Sequence, residues 1–403
     1  MLRNSKYIVS LVFTVALTML FQTLETKAAW GDFDTSFGFQ GLTIETITGY
    51  HPRCVAIQTD GKILVTGYRI TPFGGKGFFL RRYLSSGQLD TAFGTNGGAI
   101  GPEINSINTD YRGEKIVVQT NGKIAVAGRS NGFYAVWQFT ASGKSDSTFG
   151  QSGLQSLNGY PTIGNAFAEM NIQSGKLLVT LLKQSGGSSR FVLLRLTLSG
   201  MLDNTFGSGG ESLTGIYGGY ATPSIGTVVE TNGKITVSGV KFNDLSAKGL
   251  ERKLANGQTD LSFFPTNSSS VGSVLPGLIK MANGKYAMRT INLANNGSVT
   301  LILDKFSSTG IFESSVSPFN GYYIGSCPDV FTNQNDGKVL IQTAGYLFRL
   351  NAELDPFTME TNYCSNLSGL MSDFAQAAIQ TDDKMVVAGI FNDYLMIVRL
   401  LPN

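Results

Sequence analysis

A chain of 403 residues with a net charge of +3, 15 % charged residues, 49 glycines and one histidine is poor in charged amphipathic helices and rich in turns. So even a balance excludes a basic nucleic-acid footprint and a polybasic membrane patch. Three cysteines, Cys54, Cys327 and Cys364, are too few for a disulfide-rich scaffold, and no pair has metal-site spacing.

Residues 1–28 read as a secretory signal peptide. Arg3 and Lys6 precede an apolar run over residues 8–21, and small residues follow near Ala28. The run is too short to span a bilayer as a helix. Its removal leaves a net charge of about +1 and no membrane span. The mature part, residues 29–403, is expected in the periplasm, at the cell surface or outside the cell.

Nearly the same ten residues then recur. "QTDGKILVTG" begins at Gln58, "QTNGKIAVAG" at Gln119, "ETNGKITVSG" at Glu230 and "QTDDKMVVAG" at Gln380. Asp-Gly and Asn-Gly accept the positive φ of a tight hairpin turn. Residues 54–59 and 62–66 are therefore antiparallel partners. The hairpin returns around Lys123, Lys176, Lys234, Lys285, Lys338 and Lys384, seven in all. Asp382-Asp383 fills the turn slot of the last one.

A third apolar run follows each hairpin, as in "GFFLRRY", "GFYAVWQF" and "YLMIVRL". After it comes Asp-x-x-Phe: Asp34/Phe37, Asp90/Phe93, Asp146/Phe149, Asp203/Phe206 and Asp260/Phe263. The phenylalanines are spaced 56, 56, 57 and 57 residues apart. The aspartate caps a turn and the ring docks in a core. The pattern decays at Glu313 and shortens at Asp355. Strand repeats of this length mean a propeller or a β-array. The first Asp-x-x-Phe precedes the first hairpin, and the last third strand has no fourth. A ring resolves this offset: residues 33–48 supply the outer strand of the last blade and leave no open edge. The expected fold is all-β, a monomeric seven-bladed β-propeller closed by its N-terminal segment.

The residues "LDTAFGTNGG", "VAIQTDGKILVTG" and "FFLRRYLSSGQLD" carry a resemblance to the delta-60 repeat family of exported bacterial β-propeller proteins. It covers essentially the whole mature chain, with looser matches in repeats 5 and 6. The layout is also similar to NHL-type propellers. The resemblance implies a propeller and export, and brings no catalytic motif.

Chemistry is sparse. His51 reads as an exposed loop residue. "FGGKG" at residues 73–77 lacks phosphate-loop spacing. Glu103, Asp110, Glu114, Asp329 and Asp373 fall in loops of one face, where a glycosidase-like acid and base would have to lie. Asp244 and Asp393 sit in other loops of that face, without the ligand density of a calcium site. The clearest pattern is eight tyrosines in the loops before hairpins: Tyr50, Tyr111, Tyr160, Tyr217, Tyr220, Tyr322, Tyr323 and Tyr363. They either plug gaps between blades or line an aromatic mouth for a sugar or peptide. Tyr160, Tyr220 and Tyr322, each after glycine, are the candidate ligand-binding residues. No catalytic residue, metal or cofactor is expected. The leading reading is an exported, non-enzymatic recognition or scaffold module at the cell envelope, with a protein or glycan partner and no nucleic acid. The alternative is a carbohydrate-active hydrolase using loop carboxylates. The cysteines are expected as free thiols; pairing of Cys364 with Cys54 or Cys327 is the alternative.

Overall fold

The computed structural model describes residues 31–402 apart from 101–108, 164–168, 186–187, 218–225, 242–243, 268–276, 294–297, 323–330, 344–345, 352, 355–359, 364–366, 368–370, 373 and 376. The expected signal peptide, Cys327, Cys364 and Tyr220 lie outside the described residues.

The named elements are all strands. Strand β1 (Leu42–Thr48) precedes a sheet of β2 (Tyr50–Ile57), β3 (Ile63–Ile70), β4 (Lys76–Tyr83) and β5 (Gly98–Ile100). A second sheet holds β6 (Tyr111–Val118), β7 (Ile124–Ser130), β8 (Phe133–Phe139) and β9 (Leu154–Pro161). A third, larger sheet joins β10 (Glu169–Gln173), β11 (Lys176–Ser185), β12 (Ser188–Leu196) and β13 (Glu211–Tyr217) to β14 (Gly226–Val229), β15 (Ile235–Lys241) and β16 (Asp244–Lys253). Then come β17 (Gly277–Lys280), β18 (Tyr286–Leu293), β19 (Ser298–Phe306) and β20 (Phe312–Tyr322) in one sheet. The next has β21 (Phe331–Asn333), β22 (Val339–Thr343), β23 (Tyr346–Leu350) and β24 (Glu360–Tyr363). Strands β25 (Ala378–Ile379), β26 (Met385–Phe391) and β27 (Tyr394–Leu400) form the last sheet, and β1 is its fourth strand, pairing Leu42 with Val398.

The expected turns are present because the sequence supplies residues that tolerate a left-handed backbone. Gly61, Gly122, Gly175, Gly233, Gly284 and Gly337 all have φ between 79° and 84°, and Asp383 holds the seventh turn at φ 62°. Asp60 and its counterparts Asn121, Asn232, Asn283, Asp336 and Asp382 each accept the N–H two residues on, which closes the turn locally.

Apolar side chains pool between successive sheets. Leu64 and Phe78 meet Ile116 and Trp137; Val136 and Tyr134 meet Val179 and Leu194. Leu178 and Phe191 meet Ile235 and Val237, and Leu250 meets Leu278 and Met288. Leu301 and Leu303 meet Ile341 and Phe348, and Leu340 and Leu347 meet Met385 and Val387. Finally Val386 and Ile397 meet Val55 and Phe79, which brings the last sheet onto the first.

The Asp-x-x-Phe motif is the lock between neighbours. Oδ1 of Asp203 takes the backbone N–H and hydroxyl of Thr205, and Oδ2 takes Arg195 Nε at 2.7 Å and Lys176 Nζ at 2.6 Å. The Arg195 guanidinium lies over the buried Phe206 ring, 4.6 Å from its centroid, and its NH1 reaches forward to the Ala255 carbonyl. Gly257 sits on the edge of that ring, where a Cβ would be 2.9 Å from Phe206 Cε2. The same set recurs as Asp34–Arg399–Phe37, Asp90–Arg82–Phe93 and Asp260–Arg252–Phe263. Gln138 replaces the arginine beside Asp146. At the decayed position the ion pair survives, with Lys285 Nζ 2.8 Å from Glu313.

Candidate functional site

The hairpin turns and the Asp-x-x-Phe locks occupy one end of the sheets. At the other end, where β2 and β6 begin, charged residues gather. Both strands carry a β-bulge at their start: register slips between Pro52 and Cys54 opposite β3, and between Gly113 and Lys115 opposite β7. Gly67 and Gly128 permit them, since a Cβ there would overlap the carbonyl oxygen of His51 or Arg112. The extra residue is Arg53 in one strand and Glu114 in the other. Across the ladder stand Tyr68, opposite His51, and Arg129, opposite Arg112. Identical backbone devices thus carry opposite charges. In the second sheet Glu114 closes a buried pair with Arg129 at 2.8 Å. In the first, an arginine and a tyrosine fill those places.

Tyr68 becomes the floor of a cationic cluster. Its ring stacks on His51, 4.6 Å between centroids and 9° from parallel. Lys76 Nζ lies 4.9 Å from the Tyr68 centroid, Arg53 Cζ 5.5 Å and Arg112 Cζ 5.6 Å. The Lys76 backbone N–H donates to the Thr109 carbonyl, so the cluster straddles the seam between two sheets. Arg112 pairs with Asp110, its NH2 3.0 Å from Oδ2. Asn131 ties this corner down: its Nδ2 donates to the Tyr111 hydroxyl and its Oδ1 accepts the Asp110 N–H. Burial lowers the Lys76 pKa, and the charges of Arg112, Arg53 and Arg129 push it further down against the pull of Asp110. His51, Arg53, Lys76 and Arg112 are half-exposed.

Sequence reasoning passed over this cluster because its members are dispersed across four strands. The one visible signal was "YHPRC" against "GYRI", a bulge and its facing glycine. His51 is not a loop residue; it sits within β2 against Tyr68, because the strand begins at Tyr50. Glu114 likewise lies within β6, not in a loop. Glu114 and Asp110 are both held in arginine pairs. Glu103, Asp329 and Asp373 fall outside the described residues. Asp393 is exposed in a turn at φ 70°, and Asp244 opens β16. Among the described residues no group of three or more His, Cys, Asp or Glu could hold a metal.

The tyrosines are less loop-like than expected. Tyr50 opens β2 and Tyr111 opens β6, and both are buried. Tyr160 lies in β9, half-buried against the core between the second and third sheets. Its hydroxyl donates to Glu211 at 2.6 Å, and Lys183, paired with the same carboxylate, lies 5.4 Å from its ring centroid. Burial, then the hydrogen bond to Glu211, raise the Tyr160 pKa. Tyr322 ends β20, and the structure does not describe its side chain. Cys54 is a buried free thiol.

A cleft of about 730 Å³ lies at the outer rim between the first two sheets. Its one charged described lining residue is Lys144, and its aromatic floor, Trp137, is nearly buried under Phe78.

Two segments, residues 58–93 and 173–206, match the model of a β-propeller domain of unknown function, DUF5122. The fold is a β-propeller. No curated protein matches the sequence. Among solved structures, the polysaccharide lyase Uly1 is similar in fold, with TM-score 0.54 and 10 % identity over 95 % of this propeller and 94 % of that chain. A puromycin-hydrolyzing peptidase of Mycobacterium tuberculosis gives TM-score 0.51 and 9 % identity over 94 % of this chain. This chain spans 55 % of that peptidase. At such identities the likeness is one of fold alone.

Proposed function

We propose that the protein is an exported recognition module at the cell envelope: a ring of seven delta-60-type blades that binds a glycan or protein partner on the face carrying Tyr68. Three features support the ring. The apolar clusters run from sheet to sheet and return from the last to the first. The large third sheet divides naturally into two blades, since β13 and β15 share only the pairs Ile216–Lys241 and Tyr217–Val240. Strand β1 occupies the outer place beside β27, which supports closure of the last blade by the N-terminal segment.

The observation that carries the binding role is the half-exposed cluster on Tyr68. Elsewhere among the described residues, lysines and arginines such as Lys176 and Arg195 on Asp203, and Lys234 and Arg252 on Asp260, serve the locks. At Tyr68, three cations share one ring floor. Asp110 and Glu114, the described acids beside this cluster, are already bound to arginine, so the arrangement supports binding over acid–base hydrolysis. The test is a screen of the secreted protein against immobilised glycans and envelope proteins. A specific ligand whose retention falls in Tyr68→Ala at a nearly unchanged fold supports the reading; absence of any ligand in both arms overturns it.

A further inference from the structure

Resting on that reading, we infer that the site formed by Lys76, Arg53, Arg112, His51 and Tyr68 takes an anionic polysaccharide, with a carboxylate or sulfate seated among the cations and a sugar ring against His51. Like charges gathered about one tyrosine repel each other, and the ring face offsets that only in part. Burial lowers the Lys76 pKa first, and the charges of Arg112 and Arg53 lower it further against the pull of Asp110. An anion placed beside Lys76 and Arg112 relieves the repulsion and gains charge-assisted hydrogen bonds from the Lys76 ammonium and from the guanidinium edge of Arg112 that Asp110 does not take. Asp110 answers Arg112, and among the described residues the Lys76 ammonium lies against the Tyr68 ring face.

The comparison between neighbouring blades sharpens the point. The bulge at Glu114 supplies an internal carboxylate to the cation facing it, Arg129. The equivalent bulge in the first blade presents Arg53. At the position where the second blade carries a carboxylate, the first carries a guanidinium.

A polysaccharide fits better than the other polyanions. A nucleic acid needs a long basic track, and the whole chain carries only +3. The cations here are confined to one seam and lie beside two parallel rings, of which His51 is half-exposed. A flat aromatic surface next to fixed cations suits the apolar face and acidic substituent of one sugar residue. An acidic peptide has the charge without that face.

The experiment uses the mature chain in affinity electrophoresis and calorimetry. The probes are polygalacturonate for carboxylate, dextran sulfate for sulfate, neutral dextran, and poly-glutamate for acidic peptide. Binding to polygalacturonate or dextran sulfate is expected, and the tighter of the two names the anion. It should weaken as salt rises from about 0.05 M to about 0.5 M. Lys76→Glu should weaken it at least about tenfold, with the melting temperature unchanged, since Lys76 makes no ion pair among the described residues. Lys285→Glu, which with its partner Glu313 belongs to the sheet of β17 to β20 and not to this seam, should bind as the wild type does. The inference is overturned by equal binding of neutral dextran, by poly-glutamate binding as tightly as the polysaccharides, or by indifference to Lys76→Glu. Any of these leaves the recognition reading standing. A chain that binds no glycan probe and no envelope protein ends both.

Discussion

Arg399 Nε lies 2.7 Å from Asp34 Oδ2, although the two residues are 365 positions apart. The same guanidinium donates to the Ser85 carbonyl at 2.7 Å and to Ser36 Oγ at 3.1 Å. One nearly buried side chain therefore joins the N-terminal segment, the first blade and the last strand.

This junction makes Asp34 expensive to lose. Asp34→Ala leaves the Arg399 charge buried without its carboxylate, and should cost about 3–5 kcal/mol. Asp60→Ala removes an exposed pair with Lys62 and should cost no more than about 1 kcal/mol. Urea denaturation of both variants measures the difference. Equal losses would sink the lock as a closure device.

Acid should loosen the fold in a defined window. Burial pushes the Asp34 carboxyl up, but hydrogen bonds from Ser36 and Lys384 and the charge of Arg399 outweigh it and hold the pKa at about 2. Similar lysine and hydroxyl partners hold Asp146, Asp203 and Asp260 lower still, against the opposing effect of burial. A carboxyl depressed on folding stabilises above its unfolded pKa, and that contribution is lost as pH falls through the folded value. The melting temperature should be flat from about pH 7 to about pH 5 and should drop progressively below about pH 4. Asp34→Asn should flatten part of the drop. Melting curves at constant ionic strength decide.

The glycine over each locked ring should resist substitution. Gly257 has φ +85°, and an added Cβ would lie 2.9 Å from Phe206 Cε2 and from the Gly207 nitrogen. Gly132 has the same φ with nothing within 4 Å. Gly257→Ala should therefore destabilise by more than about 1 kcal/mol, and by more than Gly132→Ala. Phe206→Ala should cost about 3–5 kcal/mol. Equal effects at the two glycines would show that backbone conformation alone matters.

Tyr160 separates packing from recognition. Tyr160→Phe removes the hydroxyl bond to Glu211 but leaves the Lys183–Glu211 pair, for about 0.5–1.5 kcal/mol. Tyr160→Ala should cost several-fold more, by opening a cavity beside the core of Val136 and Val179. Ligand affinity should be unchanged in Tyr160→Phe, since the ring serves the seam. Calorimetry with any ligand from the glycan screen checks this, and a large loss of affinity in the phenylalanine variant would return Tyr160 to the binding site.

The Cys54 thiol should be inert in the native state. Burial raises its pKa and denies reagents access. Labelling with a thiol reagent should proceed at Cys54 only as fast as the fold opens. Rapid native labelling assigned to Cys54 by mass spectrometry would contradict its placement.

The strands, their turns and their all-β class were legible in the amino-acid order because they are local. Thr-Asn-Gly-Lys closes a hairpin by its own side chain and its own glycine, so every copy at Lys123 or Lys234 announces one. The Asp-x-x-Phe spacing was readable for the same reason: the cap from Asp203 to Thr205 lies within the motif. What Asp203 does with its second oxygen was not readable. Arg195, Lys176 and the ring of Phe206 meet there only after β11, β12 and the following turn have packed. Tyr50 and Tyr111 were expected in loops but open β2 and β6 and are buried, because the residues before an aromatic do not say which side of a strand its ring will take. The cluster on Tyr68 belongs wholly to the tertiary structure. His51, Arg53, Lys76 and Arg112 sit on three strands of two blades, and the facing of those strands is set by long-range packing, which a local pattern cannot encode.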